Sequence, residues 1–323
     1  MTSPRLPAGI LTAQAWDLVR AHPVLTAAES EQSAALRAAG ATVTVVPPSN
    51  PSLLAAPSAA GTVNALLDAA AQHETVVWLA APDGDEQLAR ELGLRLAREP
   101  GLAELELLYG SWDPAGARLL DVVTVMDRLM QPEGGDPWKR AQTHETLAPF
   151  LLEEAYELYD AIRDDDMEAI REELGDVLLQ VAIHARHAEE TAGFTIDDVA
   201  GDLVAKLIRR NPHVFADTEV GGIDEIIANW EQIKKAEKSR ASAVDGVALS
   251  QPSLALAAKL LQRVERAGLD TPPPPPTSLG TELLAKVAEA RAAGIDAEAA
   301  LREAALAYME SVRTAERHQP PVS

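Results

Sequence analysis

The sequence of 323 residues contains no cysteine, which excludes disulfide bridges, thiolate nucleophiles and cysteine-ligated zinc or iron–sulfur centres. Any metal ion must therefore bind to oxygen or imidazole ligands. Aromatic residues make up only 4% of the chain. No apolar run approaches the ~18 residues that identify a membrane-spanning helix. We therefore expect a soluble protein of the cytoplasm that does not associate with membranes.

Basic residues are also scarce, because the chain has 28 Lys and Arg and 50 Asp and Glu. The formal net charge is therefore −22. The negative electrostatic field of such a charge repels polyanions, so nucleic-acid polymers are not expected as partners. A small phosphorylated ligand is compatible with this charge, because bound metal ions and a few clustered cations can reverse its sign locally.

Three regions differ in their hydrophobic pattern. In residues 1–115, short apolar runs at 42–46, 75–79 and 105–109 predict strands that alternate with Ala-rich helical stretches. This alternation indicates a small α/β domain with a parallel sheet. Residues 116–240 and 250–323 instead show long amphipathic helices, and a polyproline spacer interrupts the last region. The predicted fold is therefore mainly α: an all-α helical bundle in the middle and C-terminal parts, preceded by a small α/β domain.

Two predicted helices in the middle region each carry a pair of carboxylates three residues apart: Glu154 with Glu157, and Glu173 with Asp176. Residues at this spacing project from one flank of a helix. If the two helices pack antiparallel, the four carboxylates face each other and suit Mg²⁺ or Mn²⁺, which prefer oxygen ligands. The alternative is a solvated acidic face, because chance clusters are common in a chain with 50 carboxylates.

A second group of candidate residues is basic and aromatic. Lys206 and Arg210 share one face of a predicted helix, and Trp230 and Lys234 share a face of the next. Cations of this kind bind phosphates, and a flat aromatic ring can stack on a nucleobase. The alternative is structural, because helix C-termini favour Lys and Arg and a Trp often belongs to the core.

Residues 119–238 resemble the catalytic domain of the MazG family of all-α nucleotide pyrophosphohydrolases. The resemblance lies in stretches that follow the order and spacing of that family, at residues 126–129, 136–143, 152–157, 173–178, 206–215 and 230–234. It implies a homodimer of helical bundles that hydrolyses nucleoside triphosphates to monophosphate and pyrophosphate, as in the control of nucleotide pools.

The same resemblance implies roles for individual residues. Mg²⁺ would bind to Glu154, Glu157, Glu173 and Asp176. A separate hypothesis, from its position beside Glu154 but off the ligand face, is that Glu153 orients a ligand or a water molecule. The triphosphate and the nucleoside would bind to residues of the second group: Lys206, Arg210, Trp230 and Lys234.

The two flanking regions depart from the MazG pattern. Residues 250–323 resemble a second copy of the domain that has lost its carboxylate helices, so we expect this copy to be catalytically inactive. Residues 1–115 resemble a tetrapyrrole-methylase-like domain without its Gly-rich cofactor loop, and we expect a scaffold role. Two alternative functions stay open: a narrower deoxynucleotide pyrophosphatase, acting on dUTP for example, and a non-catalytic regulatory protein that binds nucleotides.

Overall fold

The computed structural model describes residues 2–46, 59–81, 84–216, 220–237 and 241–318. This part of the chain is mainly helical, as predicted, with fourteen helices and three strands. The first seven helices are α1 Ala13–Ala21, α2 Glu31–Ala38, α3 Ala59–Gln72, α4 Glu86–Arg98, α5 Arg118–Leu129, α6 Pro137–Arg140 and α7 His144–Arg163. The other seven are α8 Met167–Thr191, α9 Ile196–Arg210, α10 Pro212–Phe215, α11 Ile223–Ala236, α12 Ser253–Arg266, α13 Leu279–Ala292 and α14 Ala297–His318. Within the described residues, every helix is too short or too polar to traverse a lipid bilayer.

The three strands form a parallel sheet in the order β2-β1-β3, with β1 at Val24–Thr26, β2 at Val43–Val45 and β3 at Val77–Trp78. Val24 in the central strand pairs with Val43 on one side and Val77 on the other. The strands predicted at 42–46 and 75–79 are confirmed in shorter form. The strand β1 was not predicted, because Ala27 and Ala28 follow it and it lacks the longer β-branched runs that mark β2 and β3.

The third predicted strand, at residues 105–109, is wrong, because this segment has no regular secondary structure. Its large apolar side chains Leu105, Leu107 and Tyr109 are all more than half exposed. Alternation of apolar and acidic residues suits a strand only where a partner strand and a covering layer are present. Among the residues that the structure describes, no strand pairs with this segment, so the pattern alone does not produce a strand.

Three apolar clusters organise the first unit: one joins α3, α4 and the sheet, and the other two lie in the α/β and helical regions. In the α/β region, Val24 and Leu36 are fully buried and pack with Val19, Ala41 and Leu79. In the helical region, the cluster joins α5, α7 and α8 through five buried residues: Met126, Met130, Leu147, Ala182 and Ile183. This cluster fixes α7 and α8 against α5.

The N-terminal segment is tied to residues more than a hundred positions further along the chain. Nε of Arg5 donates to both carboxylate oxygens of Asp121 in α5, at 2.9 Å each, and its guanidinium also pairs with Asp113. The backbone N–H of Ser3 donates to the hydroxyl of Ser111 at 2.8 Å. Of these contacts, the one between Arg5 and Asp121 crosses the predicted domain boundary near residue 115.

The chain divides into two compact units, Met1–Asp202 and Leu203–Ser323, and the division falls within α9. The predicted domains 1–115, 116–240 and 250–323 therefore do not coincide with these units, and they stay predictions. In the second unit α12, α13 and α14 pack against one another. Val287 is the one fully buried residue that the structure describes in this unit.

Candidate metal and nucleotide-binding residues

The predicted metal ligands lie on the helical hairpin formed by α7 and α8. Asp165 in the turn has a φ of 55°, a left-handed conformation that Asp tolerates better than most residues. Asp166 then begins α8, because its side chain accepts the backbone N–H groups of Glu168 and Ala169. At the other end, His144 in the first turn of α7 contacts His184 of α8, with 2.7 Å between their Nδ1 atoms. The two helices therefore run antiparallel, which is the condition under which the carboxylates of the two pairs face each other.

Three of the predicted ligands meet across this hairpin. Glu154, Glu157 and Glu173 each offer one carboxylate oxygen, and these oxygens lie within 4.8 Å of one another. Glu154 and Glu173 are partly buried, whereas Glu157 is exposed. The three-residue spacing on α7 places both of its carboxylates towards α8.

Asp176 and Glu153 lie near this group but outside it. Asp176 is partly buried on α8, and its charge raises the pKa values of Glu154 and Glu173, so it belongs to the same electrostatic cluster. Glu153 is exposed on α7, and it contributes the weakest of the charges that act on Glu154. The roles of Asp176 as a ligand and of Glu153 as an orienting residue stay predictions.

The electrostatics of the hairpin oppose ionisation of its carboxylates. Burial raises the pKa of Glu154, and the negative charges of Asp176, Glu157 and Glu173 raise it further. The pKa of Glu173 is raised first by burial and then by the charges of Glu157 and Asp176. Within the described residues, none of the four predicted ligands forms an ion pair with a basic side chain. The cluster is therefore a set of like charges that side-chain cations do not neutralise.

These residues fit a divalent cation of the hard type. All the donors are carboxylate oxygens, which Mg²⁺ and Mn²⁺ prefer. Oε2 of Glu173 is buried and has no hydrogen-bond partner, and such an atom is costly unless something pairs with it. A cation bound at this point would pair with Oε2 of Glu173 and reduce the repulsion among the carboxylates.

The predicted nucleotide-binding residues belong to the second unit. Trp230 is partly buried on α11, with Nζ of Lys234 at 4.2 Å and Cζ of Arg210 at 5.8 Å from the centre of its ring. Both distances are within the range of a cation–π interaction. Lys206 lies one turn before Arg210 on α9, and it forms no ion pair within the described residues. The structure therefore brings Arg210, Trp230 and Lys234 together.

The sequence analysis missed Glu237, which follows directly after α11. Its carboxylate accepts a hydrogen bond from Nε of Arg209 at 2.7 Å. It also accepts hydrogen bonds from Nε and Nη2 of Arg210, at 3.1 Å and 2.5 Å. The hydrogen bonds from Arg210 and then Arg209 lower the pKa of Glu237 to about 2. Glu237 thereby holds the Arg210 guanidinium beside Trp230. The spacing of Trp230, Lys234 and Glu237 places the three on one face of the helix, but it does not indicate the pairing of Glu237 with Arg210.

The apolar stripe of α7 is only partly covered. It consists of Leu151, Ala155, Leu158 and Ile162, and Leu151 and Ile162 are 37% and 56% exposed. The buried residues of α7 are Leu147 and Ala161. Periodicity shows that a helix has an apolar face, but it does not show whether the same chain covers it.

Comparisons with known proteins match this region. Residues 142–215, which include both carboxylate pairs and Lys206 to Phe215, match the model of the MazG nucleotide pyrophosphohydrolase domain. The chain is 48% identical over 239 residues to an uncharacterized 26.1 kDa protein of Streptomyces cacaoi, covering 73% of this chain and 96% of the relative.

Another relative carries a functional name. The chain is 44% identical over 204 residues to the nucleoside triphosphate pyrophosphohydrolase of Mycobacterium tuberculosis, which covers 62% of this chain. The chain spans only 59% of the length of that relative. A crystal structure of a mazG-related protein from Thermotoga maritima is 26% identical and covers 36% of this chain and 97% of its own, with a TM-score of 0.31.

The match to the family model covers the hairpin of α7 and α8 described above. The resemblance found in the sequence is thereby confirmed, and the chain belongs to the MazG nucleotide pyrophosphohydrolase family.

Proposed function

We propose that this protein hydrolyses nucleoside triphosphates to nucleoside monophosphate and pyrophosphate in a reaction that requires Mg²⁺. The observation that carries this proposal is the meeting of three carboxylate oxygens from Glu154, Glu157 and Glu173 within 4.8 Å. Its support comes from family membership and from the relative of Mycobacterium tuberculosis that is named for this activity.

In the proposed reaction, water attacks the α-phosphorus, the bond between the α- and β-phosphates breaks, and pyrophosphate leaves. Glu154, Glu157, Glu173 and Asp176 would hold the metal ion, for which Mn²⁺ is the alternative to Mg²⁺. The bound metal would activate water and stabilise the charge that develops on the phosphates. Glu153 lies next to Glu154 on α7 and orients a water molecule or a ligand.

The nucleotide is held by the second group of residues. Lys206, Arg210 and Lys234 bind phosphate oxygens, because charge-assisted hydrogen bonds from cations are the strong contacts available to phosphates. Trp230 packs against the nucleoside. The two cations beside the Trp230 ring support this role, since they place positive charge next to a flat apolar surface.

We also propose that the protein is a homodimer. Several large apolar side chains are exposed on the hairpin, and in a monomer they would stay in contact with water. They comprise Leu151, Leu152, Tyr156, Tyr159, Ile162, Met167 and Leu174. A second copy of the chain would cover this surface. The cytoplasmic location expected from the sequence stays a prediction.

The proposed activity is tested with purified full-length protein and a panel of ribo- and deoxynucleoside triphosphates. Pyrophosphate and monophosphate should appear in equal amounts with Mg²⁺, and chelation of the metal should stop the reaction. The panel also separates a broad enzyme from a narrower deoxynucleotide pyrophosphatase. Nucleotide binding without turnover of any member would contradict the proposal and favour a regulatory protein.

A further inference from the structure

The second unit contains basic residues on α12 to which the sequence analysis assigns no role. An ion pair of 2.7 Å between Glu231 of α11 and Arg266 of α12 joins these two helices. Lys234 lies one turn after Glu231 on α11. On α12, Arg263 and Lys259 lie one and two turns before Arg266, on the same face. The ion pair therefore brings Lys234 towards Arg263 and Lys259.

These three cations are partly buried and lack acidic partners. In the part of the chain that the structure describes, none of Lys234, Lys259 and Arg263 forms an ion pair, although the protein has 50 carboxylates. The pKa of Lys234 is lowered mainly by burial, and the charges of Lys259, Arg210 and Arg263 lower it against the opposing effect of Glu231. The positive charges are thus close enough to repel one another.

The surroundings of Lys259 leave room for a ligand. Its Nζ donates to Oε1 of Gln262 at 3.0 Å, which holds the ammonium group in place. Lys259 and Gln262 border a cavity of about 380 Å³ among α12, α13 and α14, whose charged lining also includes Arg291 and Asp296. On α11, Trp230 lies beside Lys234 at 4.2 Å, so an aromatic ring accompanies the cations. Cations can bind phosphates and a flat aromatic ring can stack on a nucleobase, so this combination suits a nucleoside polyphosphate.

We propose that Lys259 and Arg263 of α12 bind the phosphate chain of the nucleoside triphosphate together with Lys234. The region 250–323, predicted to be a degenerate copy of the domain, thereby supplies substrate-binding residues. The identity of the nucleotide as substrate rests on the proposed function, whereas the anion site rests on the grouping of the cations. Because Lys259 and Arg263 are far from the carboxylate pairs in sequence and bind phosphate only, they affect binding of the nucleotide and leave binding of the metal unchanged.

The test compares two full-length double variants that lose the same charge. Lys259→Gln with Arg263→Gln removes the proposed contacts. Lys286→Gln with Arg313→Gln is the control, because these exposed side chains pair locally with Glu289 and Glu310. For each protein, KM and kcat are measured with excess Mg²⁺, and calorimetry measures the affinity for inorganic tripolyphosphate in the presence of chelator. Thermal unfolding confirms that each variant is folded, and Lys259→Arg tests rescue by a residue of the same charge.

We expect the first double variant to raise KM by about tenfold to a hundredfold with little change in kcat, and to weaken tripolyphosphate binding similarly. The control should resemble the wild type, and Lys259→Arg should retain binding. Unchanged KM and tripolyphosphate affinity, or equal losses in both double variants, would overturn the inference while leaving the proposed function intact. If the wild type hydrolyses no nucleotide, the proposed function fails. Selective loss of tripolyphosphate binding in the first variant would then still establish the anion site.

Discussion

The hairpin of α7 and α8 and the cluster around Trp230 both concentrate charged side chains, but the pKa values of their carboxylates shift in opposite directions. On α7 and α8, like charges approach one another, and the pKa values of Glu154 and Glu173 are raised. Around α9 and α11, the carboxylate of Glu237 binds two arginines, and its pKa falls to about 2. The first arrangement carries an energetic penalty that a bound cation would remove, whereas the second is partly neutralised by its own chain. This difference supports separate roles in metal binding and nucleotide binding.

The largest expected effect comes from removing one charge from the hairpin. Glu154→Gln and Asp176→Asn should each lower turnover by more than about a hundredfold, because even residues that only support metal ligands contribute about 10–100-fold. The same changes should not destabilise the metal-free protein, since they relieve repulsion among the carboxylates. Turnover and thermal unfolding are measured in parallel.

Glu168→Gln provides the matched control for the hairpin, because this exposed residue lies on α8 outside the cluster. Near wild-type turnover in Glu154→Gln would contradict the assignment of the metal site. Equal loss in Glu168→Gln would show that the activity depends on the overall charge of the helix.

A smaller effect should follow from changes around Trp230. Lys206→Ala and Trp230→Ala should each raise KM by about tenfold, because each removes one contact with the nucleotide. Calorimetry should show unchanged affinity for Mn²⁺ in both variants and a lower affinity in Glu157→Gln. If metal affinity falls equally in all three variants, the separation between the two clusters is wrong.

The smallest expected effect is the opposite pH dependence of the two clusters. The folded-state pKa values of Glu154 and Glu173 exceed the ordinary 4.5, so their contribution to stability falls as the pH rises from 4.5 through the raised values. The pKa of Glu237 is instead lowered from 4.5 to about 2, so its contribution is full above 4.5 and is lost as the pH falls towards 2.

Urea unfolding of the metal-free wild type, Glu154→Gln and Glu237→Gln across this pH range measures these contributions. The difference between wild type and Glu154→Gln should slope downwards with increasing pH, and the difference for Glu237→Gln should slope upwards. If these two differences in the free energy of unfolding change with pH in the same direction, the two clusters do not differ in their electrostatics as proposed.

The candidate site was predictable where neighbours in space are also neighbours on a helix. The three-residue spacing of Glu154 and Glu157 determines that both lie on one flank, and the short turn before Asp166 makes α8 antiparallel to α7. Glu237 was missed because its pairing with Arg210, 27 residues earlier, depends on how α9 and α11 pack. The exposure of Ile162 was missed for a related reason, since helical periodicity does not identify the layer that covers an apolar face.

The same limit applies to the fold of the first region. The strands β2 and β3 were predictable, because each is a short apolar run bounded by residues that favour turns. The run at 105–109 has a similar pattern, but Leu105 and Leu107 remain exposed and no strand forms. An apolar run in the sequence is compatible with a strand, but the strand forms only where a neighbouring strand can pair with it.

The contacts of Arg5 have a consequence for the order in which the protein acquires its structure during synthesis. Arg5 is synthesised before its partners Asp113 and Asp121, which follow 108 and 116 residues later in the chain. The N-terminal segment therefore cannot take its final place until the beginning of α5 has been translated. A nascent chain that stops before Asp113 would leave Arg5 in solvent, and a fragment that begins at α5 would leave Asp121 without it.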